Sequence, residues 1–353
     1  MIVNLARLGK NGTGMWQYSI KFLDCLNNVG KLDAIICPEM HVDFLKKYKC
    51  TIIAVPDFVS NTTKVSKLRP ILWLLYSYYL SLKLFFKFRG VNIVSTTHHY
   101  LPLLSNQVIT IHDLRPYFSP DSFLQKFLFR FLMKRKIIDL KHIITVSFVV
   151  KNKICEVYKL DEDKISVIYN SVNYNDFISE YNKDNFLLAV GCNWKHKNIH
   201  QLIKNYRIWQ DQYSLCIVCS KTLYTDYLKE LTEILNLNSK VVFLHDVPFN
   251  YLKNLYSKAS ALVYPSIDEG FGIPPIESMA SLTPVIVSDI PVFHEILKNK
   301  AIYVNPSSEI SWKNAFSELY RIEKSDLDDL KKHVMLYDIN NMENMVLKFY
   351  SKI

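Results

Sequence analysis

Tyr264-Pro265-Ser266-Ile267-Asp268-Glu269-Gly270-Phe271-Gly272-Ile273-Pro274-Pro275-Ile276-Glu277-Ser278-Met279-Ala280 is the stretch on which the fold turns. An apolar run, Ala261 to Tyr264, reads as a strand. A loop with two glycines follows. Pro274 and Pro275 then suit the first turn of a helix, where a missing N–H costs nothing. Backbone amides of such a loop and helix start point at whatever lies beyond the strand end, and such helix starts bind phosphate. Glu277 in the first helical turns is suited to accepting hydrogen bonds from vicinal hydroxyls such as those of a ribose, and Glu269 in the loop to contacting a sugar hydroxyl. A helix-dipole role would account for Glu277 alone, not for Glu269 or the paired glycines.

Outward from this stretch, short β-rich runs alternate with segments of helical spacing. The runs before it are Ile2 to Leu8, Ala34 to Cys37, Ile52 to Val55, Val91 to Ser95, Val108 to Ile111, Ile143 to Val146 and Ile165 to Tyr169. Met15, Tyr18, Phe22, Cys25, Leu26 and Val29 are expected to share one helix face. After a polar, turn-rich pause from Asn170 to Asn175 the pattern resumes with Phe186 to Val190, Ser214 to Cys219, Val241 to Leu244, Ala261 to Tyr264, Val285 to Val287 and Ile302 to Val304. This alternation predicts an α/β protein of two doubly wound, Rossmann-like domains with parallel sheets, joined near residue 175 and facing a central cleft. Ligands in such folds bind beyond the carboxyl ends of the strands. The chain has only eight glycines, and Gly12, Gly14, Gly191, Gly270 and Gly272 fall in loops after predicted strands, where positive φ or close approach to a ligand is expected.

Of the 353 residues, 49% are hydrophobic and 22% charged, which excludes disordered and collagenous classes. Seven cysteines are too few, and odd in number, for a disulfide scaffold, so reduced thiols in a cytoplasmic chain are expected. Cys216 and Cys219 fall on opposite faces of a predicted strand and make no metal site. The amino terminus reads as a strand, not a signal peptide. Pro70 to Phe88 is apolar but interrupted by Lys83 and Lys87, and reads as a buried or membrane-surface amphipathic helix. The net charge of +10 lies wholly in residues 1–180, with 24 Lys and Arg against 14 Asp and Glu, while 181–353 holds 19 of each. Lys46-Lys47, Lys134-Arg135-Lys136 and the Lys83, Lys87, Arg89 group suit an anionic membrane surface or phosphorylated substrate. Nucleic acid is not expected as a partner, because no zinc finger, RNP1-like segment or long basic run with interleaved aromatics occurs.

Glu269-Gly270-Phe271-Gly272 with Pro274 and Glu277 resembles the E-x7-E pattern of retaining GT-B glycosyltransferases of family 4, the glycosyl transferases group 1. The resemblance covers nearly the whole chain. Gly12-Thr13-Gly14 is similar to the family's amino-terminal glycine loop, Ile111-His112-Asp113-Leu114 and Pro120 to its HDL segment, and Thr145-Val146-Ser147 to its TVS. Asn170-Ser171-Val172-Asn173 resembles the hinge, Gly191 followed by Lys197-Asn198 the diphosphate-binding segment, and Thr283-Pro284-Val285-Ile286 with Glu295 the carboxyl-terminal signature.

The resemblance implies a GT-B fold with an acceptor-side domain, 1–175, a nucleotide-sugar domain, 176–335, and a final helix, 336–353, returning to the first. It implies that Glu277 holds the ribose, that Glu269 and the Gly270, Phe271 and Gly272 amides hold sugar and phosphates together with the Gly12, Gly14 and Gly191 loops, and that Lys197 neutralises the diphosphate. His112 and Asp113 would serve catalysis from the first domain. No metal or other cofactor is expected, since lysine and a helix amino terminus replace the divalent ion. Compact members of this kind commonly build surface polysaccharides, often as mannosyltransferases. The expectation is therefore transfer of a sugar, GDP-mannose being the favoured donor, to a lipid-linked oligosaccharide of O-antigen, lipopolysaccharide or capsule at the inner face of the membrane. The alternatives are a nucleotide-sugar 2-epimerase of the same architecture and a non-catalytic binding module. The chain departs from the family pattern at Ser171, His196, His245 and Leu282, and His196 cannot give the bidentate phosphate contact of the usual Arg. His98 and His99 are read first as surface or core histidines, with the acceptor side as the alternative role.

Overall fold

The computed structural model describes residues 1–9, 12–60, 69–88, 90–119 and 126–353, and of 69, 70 and 128 the backbone only; Arg89 and Pro120 lie outside the described residues. Two compact units emerge, Met1–Ser171 with Ile339–Ile353, and Val172–Asp338.

The first unit is built on a seven-stranded parallel sheet: β1 (Ile2–Asn4), β2 (Ala34–Pro38), β3 (Thr51–Val55), β4 (Ile93–Ser95), β5 (Gln107–Ile111), β6 (His142–Thr145) and β7 (Ile165–Val167), in the order β3-β2-β1-β4-β5-β6-β7. Strands β1, β2, β4, β5 and β6 are buried along their whole length, which is why they read as continuous Ile and Val runs and not as alternating ones. β1 is shorter than the apolar run Ile2 to Leu8 implies. Asn4 ends it: its Oδ1 accepts from the Ala6 amide at 3.1 Å and its Nδ2 donates to Ser95 Oγ at 2.9 Å, turning the chain out of the sheet while Leu5, Ala6 and Leu8 stay buried.

The Gly14–Asn28 helix is capped by Thr13, whose hydroxyl accepts from the Trp16 amide at 3.2 Å. Its buried face includes Trp16, Tyr18, Phe22, Leu23, Cys25 and Leu26. Met15, expected on that face, is exposed, and Trp16 is buried in its place in the first turn. The terminal Ile339–Tyr350 helix packs on it: Asn28 donates to Glu343 at 3.1 Å, and Ser171 Oγ lies 3.3 Å from Met342 Sδ.

The second unit carries six parallel strands: β8 (Asp184–Val190), β9 (Ser214–Val218), β10 (Val241–Leu244), β11 (Ala259–Tyr264), β12 (Val285–Ser288) and β13 (Ile302–Val304), in the order β10-β9-β8-β11-β12-β13, with Leu188 opposite Leu262. Trp209 and Trp312 are fully buried, and each indole satisfies its N–H on a carbonyl, Leu202 at 2.9 Å and Pro306 at 3.0 Å. In each unit the strand order reverses beside the first strand, at β1/β4 and at β8/β11, so each sheet has a switch point where the loops part. Among the described residues no helix is long and apolar enough to cross a membrane.

Candidate functional site

The loops after β8 and β11 meet at the switch point of the second sheet. After Val190 the chain turns through Gly191 at φ +70, then makes a short 3-10 turn, Lys195–Lys197, closed by Asn198 at φ +59. The β11 loop is strapped to that turn: the Ile267 amide donates to the His196 carbonyl at 2.9 Å, and Ser266 Oγ to the same oxygen at 3.2 Å. His196 thus enters the site through its backbone, in the place where the resemblance expects an arginine side chain.

This strap brings Lys197 and Glu269 together. Lys197 Nζ donates to Glu269 Oε1 at 2.6 Å and to Tyr264 Oη at 2.6 Å, and all three side chains are largely buried. Burial opposes the Lys197 charge, but Glu269 and Tyr264 outweigh it and hold the ammonium above the ordinary lysine range. Burial likewise pushes the Glu269 carboxyl up, yet Lys197 and bonds from Ser266 and Tyr264 leave it below the usual range. The result is a fixed, fully charged pair at the strand ends near neutral pH.

Glu277 is 4% exposed, on the Ile273–Ala280 helix, and its Oε2 accepts from Tyr256 Oη at 2.9 Å. The helix starts at Gly272, φ +93, the conformation that only glycine adopts freely. Pro274 and Pro275 carry no N–H, so the amides this segment can offer a ligand are those of Gly270, Phe271, Gly272 and Ile273. Phe271 contributes backbone alone, since its ring is buried edge-on against Tyr337 at 5.5 Å. Lys183 braces this corner from below. Its Nζ donates to the Ser257 carbonyl at 2.8 Å, the Ser281 carbonyl at 3.0 Å and Thr283 Oγ1 at 2.7 Å, tying together the ends of the helices that carry Tyr256 and Glu277. Burial depresses the Lys183 pKa to about 8.

In the first unit His112 follows β5. Its Nε2 donates to the Thr96 carbonyl at 2.8 Å and its ring meets Tyr18 edge-on at 4.9 Å. Desolvation lowers its pKa, so the neutral ring, with its proton on Nε2, presents Nδ1 as an acceptor. Asp113 accepts from the Arg115 amide at 2.9 Å and opens the Arg115–Phe118 turn. Gly12 has φ +84, but Gly14 is the first residue of its helix and Gly270 is absent from the positive-φ positions, so the expected left-handed geometry holds at Gly12, Gly191 and Gly272 and not at these two. The His98 and His99 rings lie 4.1 Å apart, tilted by 30°; Arg7 Nε lies 3.4 Å from His99 Nε2, and Arg7 Nη1 donates to the Val59 carbonyl at 2.5 Å.

Tyr264, Tyr256, Lys183 and Arg7 escaped the reading of the sequence. Tyr264 opens the quoted stretch and its place at the end of a strand was legible, whereas Tyr256 and Lys183 sit on other elements with no spacing to announce them. Leu282, where the resemblance expects glycine, is held at φ +55 with its side chain buried, so the glycine-type conformation persists under a leucine.

Residues 173–333 match the family model described as Glycosyl transferases group 1, and residues 32–176 that of Glycosyltransferase Family 4. The O-antigen chain mannosyltransferase RfbU of Salmonella typhimurium (strain LT2) is 56% identical over 346 residues, 98% of this chain and 98% of that protein. Among solved structures, sucrose-phosphate synthase from Thermosynechococcus elongatus matches with a TM-score of 0.77 at 16% identity, covering 99% of this chain and 98% of that one. Anabaena HepE in complex with UDP-glucose matches at 0.76 and 15%, covering 100% and 99%. At these identities the structures share the GT-B fold.

Two outcomes are expected. A Cβ on Gly272 would lie 2.8 Å from the Phe293 ring at a φ that disfavours side chains, so Gly272→Ala should lose about 1–3 kcal/mol in denaturant unfolding; an unchanged midpoint would contradict this. His98, His99 and His112 are all held below the free histidine value, His98 at about 3, with burial as the main cause. The unfolded chain therefore binds more protons below about pH 6.5, and stability should fall as pH drops from there toward 3. Melting temperatures flat from about pH 7 to about pH 4 would refute the assignment.

Proposed function

The chain belongs to the glycosyltransferases of family 4, the glycosyl transferases group 1, and from that premise we propose that it is a retaining, metal-independent mannosyltransferase of O-antigen assembly. The observation that carries the chemistry is the buried Lys197–Glu269 pair beside the Glu277 helix at the strand ends of β8 and β11. The near full-length likeness to an O-antigen chain mannosyltransferase supports the sugar and the pathway.

In this reading Glu277, steadied by Tyr256, accepts the ribose hydroxyls of GDP-mannose, and the Gly191 and Gly270–Gly272 amides with Lys197 hold the diphosphate. Lys197 and oriented amides supply the positive potential that a divalent ion would otherwise provide. The bond from the anomeric carbon to the diphosphate oxygen breaks through an oxocarbenium-like state. The acceptor hydroxyl attacks the same face, and its proton passes to the departing phosphate oxygen. Glu269 orients the sugar, and His112 with Asp113 is the first unit's contribution to catalysis. The acceptor is a lipid-linked oligosaccharide met at the anionic cytoplasmic leaflet, which suits a first unit with 26 basic and 13 acidic residues, net +13, beside a second with 17 and 20, net −3.

Glu277→Ala should weaken GDP binding by about 1.5–3 kcal/mol, the range for hydrogen bonds to a charged group; calorimetry giving wild-type affinity in a folded variant would remove Glu277 from the ribose. His112→Ala should lower kcat strongly and leave GDP affinity nearly intact, and wild-type turnover would exclude it. Hydrolysis of GDP-mannose without acceptor separates an enzyme from a mere binding module.

A further inference from the structure

The Arg69–Lys87 helix carries apolar side chains on both of its faces. Its inner face buries Ser77 and Ser81 beside Trp73, Leu80 and Leu84, and the two serines satisfy themselves on their own helix, Ser77 Oγ on the Leu74 carbonyl at 2.7 Å and Ser81 Oγ on the Ser77 carbonyl at 2.6 Å. Its outer face exposes Leu75, Tyr78, Tyr79, Leu82, Phe85 and Phe86, with Leu75 66% and Phe86 78% exposed. These positions recur every three to four residues and form one continuous stripe. A helix that faces water carries polar side chains on its outer face, and contiguous exposed apolar surface marks an interaction site.

A second helix adjoins it. Residues 126–136 are helical, with π-helical turns at Leu128–Met133. Phe129 packs on His98 at 4.8 Å and Trp73 on His99 at 5.9 Å, so the two helices flank the same His98–His99 step. This second segment also exposes apolar groups: Phe127 and Phe131 stacked at 5.4 Å, and Ile138 just beyond. Lys83, Lys87, Lys126, Lys134 and Arg135 are exposed on the two segments, and neither 69–87 nor 126–138 contains an acidic residue.

We propose that these two helices form the docking face for an anionic lipid bilayer, lying in the plane of the interface with Leu75, Tyr79, Leu82, Phe86 and Phe131 at the acyl boundary and the lysines and Arg135 among the headgroups. Apolar and aromatic side chains rimmed by cations fit a surface that is anionic outside and apolar beneath. A second copy of this chain would set one basic face against another. Docking in this way deepens the reading of a lipid-linked acceptor and rests on it for its purpose.

The test is flotation of the full-length protein with phosphatidylethanolamine vesicles containing about a third phosphatidylglycerol, against phosphatidylcholine vesicles. The wild type should float with the anionic vesicles only, and less as salt screens the headgroups. The triple variant Leu75→Ser, Tyr79→Ser, Phe86→Ser should reduce binding about tenfold or more, and so should Lys134→Glu with Arg135→Glu. Both variants should melt like the wild type and hydrolyse GDP-mannose in solution at its rate, because none of these residues belongs to the donor site. Undiminished binding of the triple variant, or equal wild-type binding to both vesicle types, or to neither, would overturn the proposal. So would a wild-type dimer that the triple variant dissolves, which would give the face to a second copy. Hydrolysis in solution tests the enzyme reading separately: a protein that docks but never turns over a sugar nucleotide keeps this face and loses the proposed function.

Discussion

The candidate site depends on the ion pair between Lys197 and Glu269, two residues separated by 72 positions and joined at 2.6 Å. A buried pair of this kind adds little net stability, since desolvation consumes much of the attraction, yet removing one partner strands the other charge at a cost of about 3–5 kcal/mol. It therefore demands that both loops be held in register. The backbone strap from Ile267 to His196 supplies that hold, and Tyr264 Oη, at the end of the strand, accepts a second hydrogen bond from Lys197 at 2.6 Å. The geometry follows from the parallel pairing of β8 with β11, which ends both strands on one edge of the sheet.

Glu277 depends on a different support. Its helix begins at a glycine that no other residue replaces without strain, and two prolines stiffen its first turn. Lys183 and Tyr256 fix the far end and the carboxylate. A carboxylate so enclosed is preorganised to accept hydroxyl donors, with little reorganisation left for the moment of binding. Lys183 touches none of the proposed ligand groups and is a positioning residue.

The first unit solves another problem. Its five central strands are buried throughout, and burial holds His98 and His112 below the usual histidine range. The same unit carries the helix with an exposed apolar stripe and the whole excess of positive charge. On the Arg69–Lys87 helix, core packing and the proposed docking stripe fall on opposite faces.

By itself the sequence determined the α/β class, all thirteen described strands within a few residues, and the motif positions Lys197, Glu269, Gly272 and Glu277, because apolar periodicity and backbone constraints at Gly and Pro are local properties written in adjacent residues. The hydroxyl of Tyr264 on Lys197, Tyr256 on Glu277 and the brace from Lys183 were decided only by the tertiary structure. So were the end of β1 at Asn4 and the outward turn of the Arg69–Lys87 stripe. Each is a meeting of side chains from separate elements, and strand order, which no local pattern encodes, chooses who meets whom. Periodicity marked that helix as amphipathic. Which of its two apolar faces is buried was settled by tertiary packing, which sets Trp73, Leu80 and Leu84 inside with Ser77 and Ser81 and leaves Leu75, Leu82 and Phe86 outside.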